Sequence, residues 1–224
     1  MSIESPPREI LNKNDVVRRL NDPDRNKRIY ILPMVDMKNQ VSQGSLDVRL
    51  GTDFIITKRT RYSVIDPLES REDFQTRIID YQERLYVDIG NKLILHPNQI
   101  VLGCTLEYIR LPADIAAYVI GRSSWGRLGL VTATATFVHP NYAGIVTLEM
   151  VNLGDTPIAL YPGVRIAQLV FHLTTRLDTE EAMPRTTYSL STRPSFSRIH
   201  RDDEWKVIEA LSQQSREDAA SPEK

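Results

Sequence analysis

Cysteine and histidine are scarce in this chain: among 224 residues there is one cysteine, Cys104, and there are four histidines, His96, His139, His172 and His200. A lone thiol excludes an internal disulfide, and the scattered histidines leave no Cys/His cluster at metal-ligand spacing, so a zinc centre is not expected. An excess of charge of either sign is missing too. Lys plus Arg number 28 against 29 Asp plus Glu, a net charge of -1, which gives no reason to expect a nucleic-acid polymer or an anionic membrane as partner; any anion binding has to be local. No apolar run approaches the ~20 residues of a membrane span, and the N-terminus MSIESPPREILNKNDVVRRL lacks the apolar stretch of a signal peptide. A cytoplasmic protein is the expectation.

What is present has the texture of short strands. From Ile29 to Leu173, runs such as IYIL, LDVRL, FIIT, KLILH, IVLGCTLEYIRL, GIVTLEMVNL and RIAQLVFHL recur between Pro, Gly, Asn and Asp, which predicts a mainly β sandwich or barrel rather than a βαβ fold. The length suits one domain with tails. Residues 1–10 read as a flexible arm, 11–175 as the β domain, 176–200 as an extended C-terminal arm, and 201–224 as a helix with Trp205, Ile208 and Leu211 on one face followed by a disordered tail. Asn14 is expected to cap a short helix carrying Val16, Val17 and Leu20, stopped at Asp22-Pro23. The polar stretch 66–84 reads as an excursion between strands.

Three segments carry chemistry. Gly121-Arg-Ser-Ser-Trp-Gly-Arg127 packs two guanidiniums and two hydroxyls into seven residues, a turn able to grip phosphate oxygens, although a polar turn with surface arginines fits the pattern equally well. In Gly144-Ile-Val-Thr-Leu-Glu-Met-Val151, Glu149 interrupts an apolar strand. Period-two alternation puts it on a face with Ile145, Thr147 and Val151. A carboxylate there either pairs with a cation for packing or has its pKa raised towards the working pH, as a general acid/base requires. Between them, Val131 to Gly144 alternates small and β-branched residues, which predicts a β-hairpin whose main chain lines a pocket. Among single residues, Cys104 reads as core, His96 and His172 as structural, and Asp47 with Arg49 as a structural ion pair or interface contact.

Taken in order with Gly44-Ser-Leu-Asp-Val-Arg-Leu-Gly51, Thr105-Leu-Glu-Tyr-Ile-Arg-Leu-Pro112 and Leu160-Tyr-Pro-Gly-Val-Arg-Ile-Ala-Gln-Leu169, these segments make the chain resemble the dCTP deaminase family of the dUTPase-like superfamily, from about Leu11 to His200. The resemblance implies a distorted β-barrel or jelly-roll protomer, assembled as a homotrimer with nucleotide sites between subunits. It also implies hydrolytic deamination of dCTP to dUTP and ammonia, with Mg2+ carried on the triphosphate and no catalytic metal. The His-x-Glu and Pro-Cys-x-x-Cys motifs of zinc nucleobase deaminases are missing. By position, Glu149 is implied as general acid/base, and Ser123 and Arg127 as orienting water and substrate. Arg122, Ser123 and Ser124 are implied as phosphate ligands, with the main chain around Thr134, Ala135 and Thr136 reading the pyrimidine. His139, Tyr188 and Arg198 complete the implied substrate contacts.

The chain departs from the family pattern in two places. His139 stands where relatives carry an acid that contacts deoxyribose and, in dUTPases, positions the hydrolytic water; this argues against dUTP hydrolysis. In the arm, Thr187 replaces a Lys and Ser189 and Ser191 replace glutamines, with Arg185 and Arg193 as substitute or solvated cations. The same scaffold could therefore serve as a non-catalytic nucleotide-binding regulator, or as a deaminase of another cytosine nucleotide, for instance in phage defence.

Overall fold

A computed structural model describes residues 10–58, 60–66, 71–132, 137–174, 190–199, 206–208 and 210–214. In chain order the elements are α1 (Lys13–Leu20), β1 (Tyr30–Leu32), α2 (Met37–Gln40), β2 (Leu46–Arg49), β3 (Asp53–Thr57), α3 (Arg71–Tyr81), β4 (Gln82–Tyr86), β5 (Leu93–Leu95), β6 (Ile100–Arg110), β7 (Ile115–Gly121), α4 (Ser123–Gly126), β8 (Leu130–Thr132), β9 (Phe137–Val138), β10 (Ala143–Asn152), β11 (Ile158–Leu160) and β12 (Arg165–Leu173). The protein is mainly β, as its sequence texture predicts. Among the described residues the strands form three sheets rather than one closed cylinder: β4-β3-β6-β10-β8 with β1 also on β6, β2-β12-β7-β9, and the pair β11-β5. No described helix is long and apolar enough to cross a membrane.

Local sequence sets the details. The cap of α1 is Asn12, not Asn14: its side chain accepts from the N–H groups of Asn14 (2.9 Å) and Asp15 (3.1 Å), while the Asp15 carboxylate accepts from the Asn12 N–H. Both asparagines are competent caps, but only Asn12 puts an acid three residues on to close the reciprocal pair. The excursion at 66–84 contains a helix that its polarity conceals. In α3 the apolar contribution is confined to spaced positions, with Phe74 and Ile78 buried and Ile79 exposed.

The chain divides into two compact units, Met1–Thr57 with Arg84–Ser195, and Lys58–Glu83 with Phe196–Lys224. The second unit holds α3 and a helical stretch at 206–208 and 210–214, which overlaps the helix expected near the C-terminus; Ile208 and Leu211 lie exposed on it. The first unit holds the main core, in which Leu46, Val48, Leu148, Leu169 and Phe171 are wholly buried.

The long antiparallel pair β6–β10 is interrupted. Ile145 faces Tyr108, but Thr147 faces Cys104, so β6 has extra residues at 105–107. The freed Val146 N–H is taken by the Thr105 hydroxyl (3.0 Å), which itself donates to the Glu107 carbonyl (2.7 Å). A bulge of this kind re-aims side chains. Ile145 and Val146 are both buried, and only from Thr147 onward does β10 alternate, with Leu148 and Met150 in the core and Thr147, Glu149 and Val151 half-buried on the opposite face.

The segment 131–144 is not the simple hairpin its alternation suggests. β8 hydrogen-bonds to β10 and β9 to β7, so its two ends belong to different sheets. Residues 133–136 lie outside the described residues.

Candidate functional site

The Arg/Ser turn follows directly from β7. Arg122 precedes α4, whose four residues begin at Ser123, and Arg127 closes it with its N–H on the Ser123 carbonyl (3.1 Å). Two side chains of the turn reach across to β12: Trp125 Nε1 donates to the Arg165 carbonyl at 2.9 Å and Arg122 Nη1 to the same oxygen at 3.3 Å. The turn is thereby fixed against the strand that carries Arg165. An open cleft of about 510 Å³ lies here, lined by Arg49, Arg122, Ser124, Trp125, Val164 and Arg165 among others.

Behind the cleft sit two buried acids. Asp47, on β2, accepts from Arg165 Nη1 at 3.0 Å and from Gln168 Nε2 at 2.9 Å, and lies 3.6 Å from Arg122 Nε. Glu107, on β6 and wholly buried, accepts from the Arg49 N–H at 2.8 Å, from Gln40 Nε2 at 3.1 Å and from Arg49 Nη1 at 3.5 Å. Burial pushes the Glu107 carboxyl up, against the pull of these donors. The expected Asp47–Arg49 pair is therefore not formed. Residues two apart on a strand share a face, but each finds its partner on a neighbouring strand, Asp47 on β12 and Arg49 on β6.

Glu149 lies in the other large sheet and is not among the residues lining the cleft. Its register neighbour on β6 is Leu102, and Val131 on β8 faces Val151. Among the described residues its carboxyl has neither a hydrogen bond nor an ion pair, and burial alone raises it above the ordinary range. Val131 on the neighbouring strand β8 and Leu153 just after β10 are exposed, as is Leu128 at the cleft.

The remaining expected contacts are dispersed. His139 is exposed, its ring edge-on to Phe137 at 4.8 Å, and Phe137 packs in turn against Tyr118 at 5.2 Å. Thr134, Ala135, Thr136 and Tyr188 lie outside the described residues, and Arg198 belongs to the second unit. The base of the C-terminal arm is tied to the first unit: Leu190 N–H donates to Ala143, Ile145 N–H to Ser191 (2.9 Å), Arg84 Nη1 to Pro194 (2.9 Å), and Arg193 pairs with Asp53 at 3.4 Å. Gly144 is required at this junction, because at φ 153° an added Cβ would stand 3.2 Å from the Ser191 carbonyl oxygen.

The family model for dCTP deaminase-like proteins matches residues 10–174. The chain belongs to the dCTP deaminase-like family. It is 40% identical over 202 residues to a dCTP deaminase of Natronomonas pharaonis, covering 88% of this chain and 97% of that one. It is 42% identical over 199 residues to a protein of Halobacterium salinarum named dCTP deaminase, dUMP-forming, again 88% and 97%. In fold it is similar to a crystal structure of 2'-deoxycytidine 5'-triphosphate deaminase from Agrobacterium tumefaciens, with a TM-score of 0.55 at 22% identity over 74% of this chain and 48% of that longer one.

The residues shaping the cleft that sequence reasoning passed over are Glu107, Gln168 and Arg165, together with the strand-crossing contacts of Asp47. The signal was available. An acid inside an apolar strand singled out Glu149, and the same rule applied to LDVRL and CTLEYIRL marks Asp47 and Glu107.

Proposed function

We propose that this chain hydrolyses the 4-amino group of dCTP, giving dUTP and ammonia, with Glu149 as the proton shuttle and with sites completed between the subunits of a homotrimer. The observation that carries the proposal is Glu149 itself: a half-buried acid, raised by burial and lacking a cation among the described residues, in a chain similar over 88% of its length to relatives named as dCTP deaminases. A structural acid is normally compensated. A general base gains from the opposite, since a pKa brought towards the working pH lets a carboxylate take and return a proton.

The water oxygen bonds to C4 while Glu149 takes one of its protons and delivers it to the ring nitrogen N3. The C4–N bond then breaks, the remaining hydroxyl proton leaves on ammonia, and C4 ends as a carbonyl. Ser123 and Arg127 hold water and base, Arg122 and Ser124 hold phosphates, and His139 faces the sugar. Main chain at Thr134 to Thr136 reads the pyrimidine, and Tyr188 and Arg198 come from the arm. Magnesium enters as a passenger on the triphosphate, whose anionic oxygens the guanidinium cleft suits.

Trimerisation is supported by two features. The cleft and Glu149 stand on different sheets of one protomer, and the apolar side chains Leu128, Val131 and Leu153 are exposed and await cover. A cytoplasmic location follows from the same metabolic role.

Purified protein supplied with dCTP and Mg2+ should release ammonia and accumulate dUTP in equal amounts. Ammonia release from CTP or dCMP in preference to dCTP would transfer the proposal to another nucleotide, and tight dCTP binding without any product would replace it with a regulator. The dUMP-forming relatives motivate one more readout. His139 in place of an acid favours dUTP over dUMP, and dUMP as the first detectable product would contradict that assignment.

A further inference from the structure

The cleft holds more cation than the Arg/Ser turn supplies. Arg49 arrives from β2 and Arg165 from β12, so three guanidiniums from three segments line one cavity. Arg49 and Arg165 are each tethered along one edge only, whereas Arg122 is held on both edges. Arg165 is bound through Nη1, to Asp47 and to the Asn39 carbonyl (3.1 Å), Arg49 through Nη1 to Glu107, and Arg122 through Nη1 and Nε. Among the described residues, Nη2 of all three has no partner. A guanidinium with one edge fastened and the other free is arranged to receive a bidentate anion.

We propose that Arg49 and Arg165 bind the substrate's phosphates together with Arg122, and that Asp47 is the positioning residue that sets the Arg122–Arg165 pair. This rests on the reading of the substrate as a nucleoside triphosphate. Asp47 is nearly wholly buried and engages both oxygens, one on Arg165 and the other on Gln168, with Arg122 Nε beside it. One carboxylate shared by two guanidiniums offsets their mutual repulsion without neutralising both, which leaves net positive charge facing the cavity. The Arg165 carbonyl, held by Trp125 and Arg122, fixes the backbone from which that side chain projects.

The test uses the whole chain and inorganic tripolyphosphate as probe. Calorimetry should show tripolyphosphate binding, and in turnover it should compete with dCTP. Arg165→Gln should weaken that binding about tenfold or more and raise the KM for dCTP alike, with kcat held within about threefold, as expected for loss of one charged contact. Arg165 has a side chain 40% exposed, so the variant should fold, and Arg165→Lys, which keeps charge but not the fork, should fall between. Asp47→Asn should raise KM in the same sense, and the losses in the double variant should be less than additive, since Asp47 acts in part through Arg165 and only the share through Arg122 remains to be lost. Undiminished tripolyphosphate affinity in Arg165→Gln, fully additive losses in the double variant, or tripolyphosphate that fails to compete with dCTP would each overturn the inference. Absence of any dCTP turnover would defeat the proposed reaction instead, while the calorimetry would still decide the arginines.

Discussion

Two regions of this protein bury acids in strands and treat them in opposite ways. At the cleft, Asp47 and Glu107 are each met by guanidiniums and amides, so that every carboxylate oxygen has a donor. On β10, the Glu149 carboxyl is half-buried and has no such donor among the described residues. The contrast separates acids fixed by donors from an acid that has none among the described residues. Desolvation acts on Glu107 and Glu149 alike; compensation is what differs.

The largest effect should come from breaking compensation. Glu107→Ala leaves Arg49 without its acceptor and the Gln40 amide with only the Asp47 carbonyl, which should cost about 3–5 kcal/mol, read as a lowered urea midpoint at fixed protein concentration. Asp47→Asn keeps the shape and should cost less, about 1–3 kcal/mol, because Arg165 is partly in solvent. An Asp47 effect larger than that of Glu107 would reverse the ranking by burial.

Sequence texture conveyed the β architecture and the Arg/Ser turn, since alternation and turn residues are local signals. The partners of Asp47 were not legible. Arg165 lies 118 residues away and Gln168 121 away, and only the β2–β12 register, itself shifted between Arg165 and Ala167, brings them together. The bulge at 105–107 was equally hidden, because it depends on how β6 and β10 align. By contrast Glu149 could be singled out from its strand alone, while its lack of a cation could not.

The uncompensated acid should show the reverse stability behaviour. Its folded-state carboxyl is raised, so the folded protein favours the protonated form: the stabilising contribution is full below the unfolded-state value and is lost as pH rises through the folded one. Glu149→Gln should therefore unfold at a temperature equal to or above that of the parent, with the gain greatest at and above neutral pH and fading below the ordinary 4.5. A variant less stable at pH 8 would mean that the carboxylate has a hidden cation. The smallest effect should be in the pH profile. The acid limb of kcat/KM for dCTP should have its midpoint above 4.5, because protonation removes the base form; a limb at or below that value would assign it to another group.

Everything proposed for the reaction depends on this one free acid moving the proton. Single-turnover deamination of dCTP by Glu149→Gln, with nucleotide binding measured on the same sample, tests it most directly. Retained binding with dUTP formation slowed by about 100-fold or more is the result expected of a lost general base; dUTP formed at the parent rate would contradict it.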